Sequence, residues 1–165
     1  MCLIPSICSS VSIPVIAAGG IATGRGMLAA MALGADGVQI GSRFIATPES
    51  SAHQSFKEYV LASKEGDTKL TLKEITPVRL LNNSFYKEVV SAYDSGATAE
   101  ELRELLGKGR AKKGMFQGDL MDGELEVGQV SAFINDIKPA QEVVNEIIKE
   151  FLEVKNSLSK TDYNI

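Results

Sequence analysis

The apolar positions change their period several times along the chain. Ser12 to Ala18 (SIPVIAA) is a continuous, β-branched apolar run that stops at Gly19-Gly20. Such a run predicts a strand buried on both faces. Thr23 stands as the N-cap of an alanine- and methionine-rich helix reaching about Leu33. Gly34 then takes the C′ position, where left-handed backbone favours glycine. A second strand is predicted from Gly37 to Ile40, closing at Gly41-Ser42. After Pro48, the spacing of Phe56, Tyr59, Val60 and Ser63 predicts a helix over about 50–62. The strand–helix–strand unit implies parallel neighbours joined by a right-handed crossover.

Beyond residue 66 the pattern changes. Residues 70–81 look irregular or weakly extended, broken by Pro77. Phe85, Val89, Val90 and Tyr93 have helical spacing. Thr98 with Glu101 is a capping box that opens a helix through Leu102, Leu105 and Leu106. Residues 107–128 form a glycine-bearing stretch whose length suits a functional or mobile loop. Val130, Phe133 and Ile134 suggest a short helix. Pro139 is placed at the first position of a final helix, with an apolar stripe of Val143, Ile147, Phe151 and Val154. The polar tail from residue 159 is expected to fray. This divides the chain into residues 1–66, 67–137, 138–158 and a tail, 159–165. No repeat beyond the two βα units is visible.

Composition narrows the partners. The 165 residues carry 17 basic and 21 acidic side chains, a net charge of −4, which argues against nucleic acid as partner. Apolar residues at 44% and charged ones at 23% suit a packed domain rather than a disordered chain. No apolar run approaches the ~18 residues of a membrane span. The apolar start lacks a basic segment and is interrupted by Pro5 and Pro14, so it is not read as a signal peptide. Cys2 and Cys8 fit no common zinc spacing and are read as free thiols of a cytoplasmic protein. His53 is the single histidine, which excludes most multi-histidine metal sites.

Two short stretches carry candidate chemistry. Gly19-Gly20 follows a buried strand, so an anion could approach the backbone closely and meet free N–H groups at the next helix start. Gly41-Ser42 follows the second strand and adds a hydroxyl. Each alone could be a tight turn or a packing glycine. Both together, at the carboxyl ends of parallel strands, describe a phosphate site of the kind formed after strands seven and eight of a (β/α)8 barrel.

The segment IPVIAAGGIATGRGMLAAMALGADGVQIGSRF (13–44), with ATPESSAH (46–53) and GRAKKGMFQGDLMDGELEVGQVSA (109–132), resembles the nitronate monooxygenase family, formerly called 2-nitropropane dioxygenases. That family includes the FMN-dependent enoyl-acyl carrier protein reductase II. The resemblance implies an α/β fold: the last two βα units of a TIM (β/α)8 barrel plus a small, mostly helical cap over the substrate. It implies FMN as cofactor and a small-molecule substrate. Carried over by motif, Gly19 and Gly20 would present N–H groups to the flavin phosphate. Gln39, Ile40, Gly41 and Ser42 would form the second lip, with Ser42 in place of the more usual threonine. Gln129 in the GQ pair would face the cofactor region. The implied reaction is oxidation of alkyl nitronates with oxygen; alternatives are NAD(P)H-dependent enoyl reduction, or a non-catalytic flavin-binding half-barrel.

A closed barrel needs about 200 residues or more, and the family's catalytic histidine lies upstream in a GGH-type motif that has no match here. No catalytic residue is therefore assigned, and the chain reads as the C-terminal half of a flavoenzyme. His53 is expected at the surface or facing the cap. An unpaired edge on the first strand would invite self-association or a complementing upstream half. Lys108, Arg110, Lys112 and Lys113 form a basic cluster, read as a solvated loop ahead of an anion or acyl-carrier site. Asp119, Asp122, Glu124 and Glu126 lack the pattern of a calcium loop; the two runs could pair with each other. Met27 and Met31 read as core filler.

Overall fold

The computed structural model describes residues 1–160. Helix α1 (Leu3–Ser10) precedes strand β1 (Ile16–Ala18), helix α2 (Gly24–Ala32) and strand β2 (Gly37–Gln39). The first helix lies outside the sequence expectation, since Pro5 interrupts the apolar run that it occupies. Pro5 sits in the first turn, where its missing N–H leaves no helical bond unmade.

β1 and β2 pair in parallel, with Ile16, Ala17 and Ala18 opposite Gly37, Val38 and Gln39. β1 is shorter than predicted, and it is not buried on both faces: Ala17 is buried, whereas Ile16 and Ala18 are exposed. Pro14 has no N–H to give a ladder, and the N–H of Val15 goes to the Asp36 carboxylate at 2.8 Å. The predicted limits of α2 hold: Thr23 Oγ1 accepts from Gly26 N–H, and Gly34 has φ +106°. Ala17, Ala30 and Ala35 form a small core there, with Ile4, Ile21 and Val38 against it. Small side chains let α2 lie close on the sheet.

A four-residue helix, α3 (Ser42–Ile45), follows β2, and α4 (Gln54–Leu61) follows a turn. α4 starts later than predicted because residues 47–53 are fixed by side chains. Thr47 Oγ1 accepts from Ser50 N–H, Ser50 Oγ from Ala52 N–H, and His53 Nδ1 from Ser55 N–H. Lys57, buried on α4, donates Nζ to the carbonyls of Thr47 and Ser50 at 2.7 and 2.9 Å.

Strands β3 (Thr68–Thr71) and β4 (Val78–Leu81) form an antiparallel hairpin. The alternation that predicts such strands is obscured by Pro77 and by Leu72, which is buried at φ +53° and turns the chain out of β3. Helices α5 (Ser84–Asp94) and α6 (Ala99–Leu106) follow, the latter with the expected Thr98–Glu101 capping box. The glycine-rich stretch after α6 is less open than its composition suggests. It contains a π-helical turn, Lys112–Phe116, and then lies along β4 through Leu81 N–H to Leu125 O and Val127 N–H to Arg79 O. Close glycine contacts allow this: a Cβ on Gly123 would sit 2.2 Å from Gly114 Cα.

The two larger apolar clusters lie outside the β1–α2–β2 unit. One joins Ala46, Phe56, Val60, Leu81, Leu125, Val127 and Ile134. The other holds Leu72, Leu80, Phe85, Val89 and Leu102. The predicted short helix is a 3-10 turn, Gln129–Phe133. The last helix, α7 (Ala140–Lys160), begins one residue after Pro139, and the Glu49 carboxylate accepts its first N–H. It packs on α2, and its buried residues are Val143 and Ile147. α7 includes Ser159 and Lys160; the rest of the tail expected to fray lies outside the described residues.

Candidate functional site

Register places the two predicted turns together. Ala18 is opposite Gln39 in the parallel ladder, and neighbouring strands lie about 4.8 Å apart. Gly19-Gly20 and Ile40-Gly41 therefore leave the same end of the sheet side by side.

Gly19 and Gly20 have φ of +94° and +71°, a left-handed pair that disfavours any residue with a Cβ. A Cβ built on either meets nothing within 4 Å, and the same holds at Gly41. Open space thus borders bare backbone on both lips. Gly41 caps α3 and Ser42 is its first residue. Among the described residues, no acceptor takes the N–H of Gly20, Gly41 or Ser42. Gln39 is exposed and Ile40 half-buried at the same strand end. Beside the glycine pair opens an apolar cavity of about 520 Å³, bordered by Ile7, Ile16, Ala18, Ile21 and Leu33.

The start of α2 is not free to bind an anion, contrary to the sequence expectation. Gly24 N–H donates to Glu150 Oε2 at 2.7 Å, and Gly26 N–H to Thr23 Oγ1. Glu150 projects from α7, which approaches so closely that a Cβ on Gly24 would lie 2.3 Å from Phe151 N. A carboxylate at a helix N-terminus is favoured by the helix dipole, so this position is already neutralised. Nothing local in the sequence pairs residues 24 and 150.

The neighbouring cations are engaged as well. Arg25 pairs with Glu150 at 3.4 Å. Arg43 is buried and donates to the carbonyls of Ala46 and Asp136 and, at 2.5 Å, to Asp136 Oδ1. The donors left at the sheet end are backbone N–H groups and one hydroxyl. That set suits a phosphate held in a backbone cradle, so the residues present fit the phosphate of FMN.

Ser42 also makes a contact that the sequence did not foretell. Its Oγ accepts the N–H of Gly128 at 2.9 Å, across 86 residues. Gln129, the next residue, is exposed at the start of the 3-10 turn. The GQ pair was the available signal for this contact.

His53 lies elsewhere. It is exposed, caps α4 through Nδ1, and its ring packs on Gly118, where a Cβ would sit 2.3 Å from Nδ1. The basic cluster divides in two. Lys108, Lys112 and Lys113 are exposed, whereas Arg110 is half-buried, donates to the carbonyls of Leu105, Leu106 and Asp122, and lies 4.3 Å over the Phe85 ring. The two charge runs do pair: Lys113 bridges Asp119 and Asp122 at 3.0 and 3.6 Å. Glu124 is buried, and desolvation with the nearby Glu126 charge pushes its carboxyl up to about 7, against the pull of Arg110. Among the described residues, no cluster of His, Cys, Asp and Glu is built to hold a metal, and no helix is long and apolar enough to cross a membrane.

Parallel βα units with open glycine turns at one strand end define an α/β protein. Sequence comparison specifies which. Residues 1–150 match the family model for nitronate monooxygenase, and the chain belongs to that enzyme family. It is 34% identical over 158 residues to a probable nitronate monooxygenase of Staphylococcus saprophyticus, covering 94% of this chain and 44% of the relative. A Bacillus subtilis protein of the same description is 33% identical over 93% of this chain and 44% of its own length. The chain thus spans less than half the length of these relatives. Among solved structures, FabK from Thermotoga maritima superposes with a TM-score of 0.85 at 39% identity, covering 96% of this chain and 50% of that one. Nitroalkane oxidase from Streptomyces ansochromogenes superposes at 0.73 with 33% identity, over 94% of this chain and 44% of the other.

Proposed function

We propose that this chain supplies the phosphate-binding part of an FMN-dependent oxidoreductase of the nitronate monooxygenase type. In this reading β1–α2 and β2–α3 are the last two βα units of a (β/α)8 barrel. Residues 67–137 are the cap, and α7 closes the outer layer. The observation that carries the reading is the pairing of Ala18 with Gln39, which sets two open glycine turns side by side.

Gly19 and Gly20 border the phosphate and bring backbone N–H groups to it. Gly41 and Ser42 close the opposite lip with their N–H groups and the Ser42 hydroxyl. Gln39 and Ile40 line the strand end beneath the ligand. When bound, FMN supplies the electron-accepting ring for substrate oxidation. The protein's part is to fix the phosphate and so aim the ring. The residues described here position the cofactor, and the catalytic histidine that the family resemblance implies has no match among them. The small-molecule substrate is then an alkyl nitronate oxidised with oxygen. The unpaired thiols Cys2 and Cys8 fit a cytoplasmic location.

The greater likeness to FabK than to the nitroalkane oxidase supports a second reading, NAD(P)H-dependent enoyl-acyl carrier protein reduction. Titration of the chain with FMN, followed by flavin fluorescence, tests the shared element. Saturable binding that is lost in Gly20→Ala is expected, and absence of binding refutes both readings. With an upstream half supplied in trans, nitronate-dependent oxygen uptake against enoyl-thioester-dependent NAD(P)H oxidation separates them.

A further inference from the structure

We propose that Ser42 and Gly128 form a latch that couples binding at the phosphate cradle to the seating of residues 128–133. The inference rests on the FMN-phosphate reading and adds to it a positioning residue, Gly128, and a route by which the ligand orders the cap segment.

A serine hydroxyl has two acceptor lone pairs and one hydrogen. Gly128 N–H occupies one lone pair at 2.9 Å. The hydroxyl hydrogen is left to donate, and Ser42 stands at the lip whose backbone N–H groups have no acceptor among the described residues. A phosphate oxygen there accepts from a hydroxyl already held on its other side. Such paired bonds polarise each other, so each strengthens the other.

The glycine at 128 is explained by contact and not by backbone. Its φ of −70° and ψ of 157° suit any residue. A Cβ there would nonetheless lie 2.7 Å from Ser42 Oγ, while staying 3.8 Å from Ser42 Cβ. A side chain at 128 therefore conflicts with the hydroxyl alone. Gly128 also caps the 3-10 turn, so fixing its N–H fixes the start of that turn. By linkage, whatever the ligand contributes to the latch, the seated segment returns to the ligand.

The test is a double-mutant cycle on the full chain, read by FMN titration and by hydrogen exchange of the Gly128 amide. Ser42→Ala is expected to weaken FMN binding about tenfold, the worth of a hydrogen bond to a charged group. It should also speed exchange at Gly128 in the ligand-free protein. Ser42→Thr should preserve both. Gly128→Ala should weaken FMN binding as Ser42→Ala does, yet add less than about twofold in the Ser42→Ala background, since residues in contact do not act additively. FMN should slow Gly128 exchange in the wild type and not in Ser42→Ala. A full, additive Gly128→Ala effect in that background, or FMN binding without a change at Gly128, overturns the latch while leaving the FMN reading intact. Failure of the wild type to bind FMN overturns the reading itself, and the coupling with it. If Ser42→Ala does not fold, Gly128→Ala measured against Ser42→Thr decides the matter: equal affinities would refute the latch.

Discussion

Glu124 is expected to make the protein less stable as pH rises through neutrality, and Glu124→Gln should remove that loss. The carboxyl ionises near its ordinary value of 4.5 in an unfolded chain and at about 7 in the fold. Desolvation is the main cause, and the charge of Glu126 adds to it. Below pH 4.5 both states hold the proton and the residue imposes no charge penalty. Between 4.5 and 7 the unfolded chain releases its proton while the folded one keeps it, so stability falls as pH rises. Above 7 the folded group is ionised and the full penalty applies. At about 1.4 kcal/mol per pH unit between the two values, the penalty is about 3 kcal/mol, reduced toward 2 by screening. Gln keeps the shape and cannot ionise. Urea unfolding of both proteins at pH 4.5 and pH 8 measures the difference. The variant should gain roughly 2 kcal/mol relative to wild type between those conditions. An equal wild-type-to-variant difference at the two pH values would refute a buried, destabilised carboxylate.

Gly20→Ala forces a Cβ into backbone at φ +71° and should cost about 1 kcal/mol in denaturant unfolding, besides abolishing FMN binding. Gly24→Ala collides with the α7 backbone at Phe151 and Ile147; overpacking of this kind should cost roughly 1–3 kcal/mol or more. Loss of hydrogen-exchange protection on α7 would locate the damage. β1 has a single partner among the described residues, and Ile13 and Ile16 are 70% and 56% exposed. The chain alone should therefore associate in a concentration-dependent way, which light scattering coupled to size exclusion reads. A monodisperse monomer with one cooperative melt would contradict this.

The elements legible in the sequence were those with local signatures. Thr23, Gly34 and the Thr98–Glu101 box each satisfy donors or conformations within a few residues, so composition alone announces them. The two glycine turns were legible for the same reason, because left-handed backbone at Gly19 and Gly20 needs glycine. The missed features are settled by distant partners. The β3–β4 hairpin takes its register from pairing across 68–81 and from the segment near Leu125, which no periodicity displays. Arg110 looked like one member of a solvated cluster, yet it reaches three carbonyls and the Phe85 ring because α6 ends beside it. The Ser42–Gly128 bond joins residues far apart in the chain. Glu150, in the middle of a helix with alternating charges, looks like any exposed acid.

That last residue explains why the candidate site lies at the sheet end and not at the start of α2. A helix N-terminus attracts anions, and α2 begins four residues after Gly20. Left open, it would compete for the same phosphate and spread the ligand over two positions. Glu150 supplies an intramolecular carboxylate at 2.7 Å from Gly24 N, tethered by the packing of α7 and hence always present. The close approach that Gly24 permits is the condition for that reach. Arg25 is held by the same carboxylate, and Arg43 is turned inward to Asp136. What remains at the rim are short-range, directional N–H donors and a single hydroxyl. Donors of this type recognise the tetrahedral shape of a phosphate more than its charge, and their fixed positions hold the ligand in one orientation. On the phosphate reading proposed above, the packing of α7 against α2, remote from the turns in sequence, is part of what would confine the ligand to them.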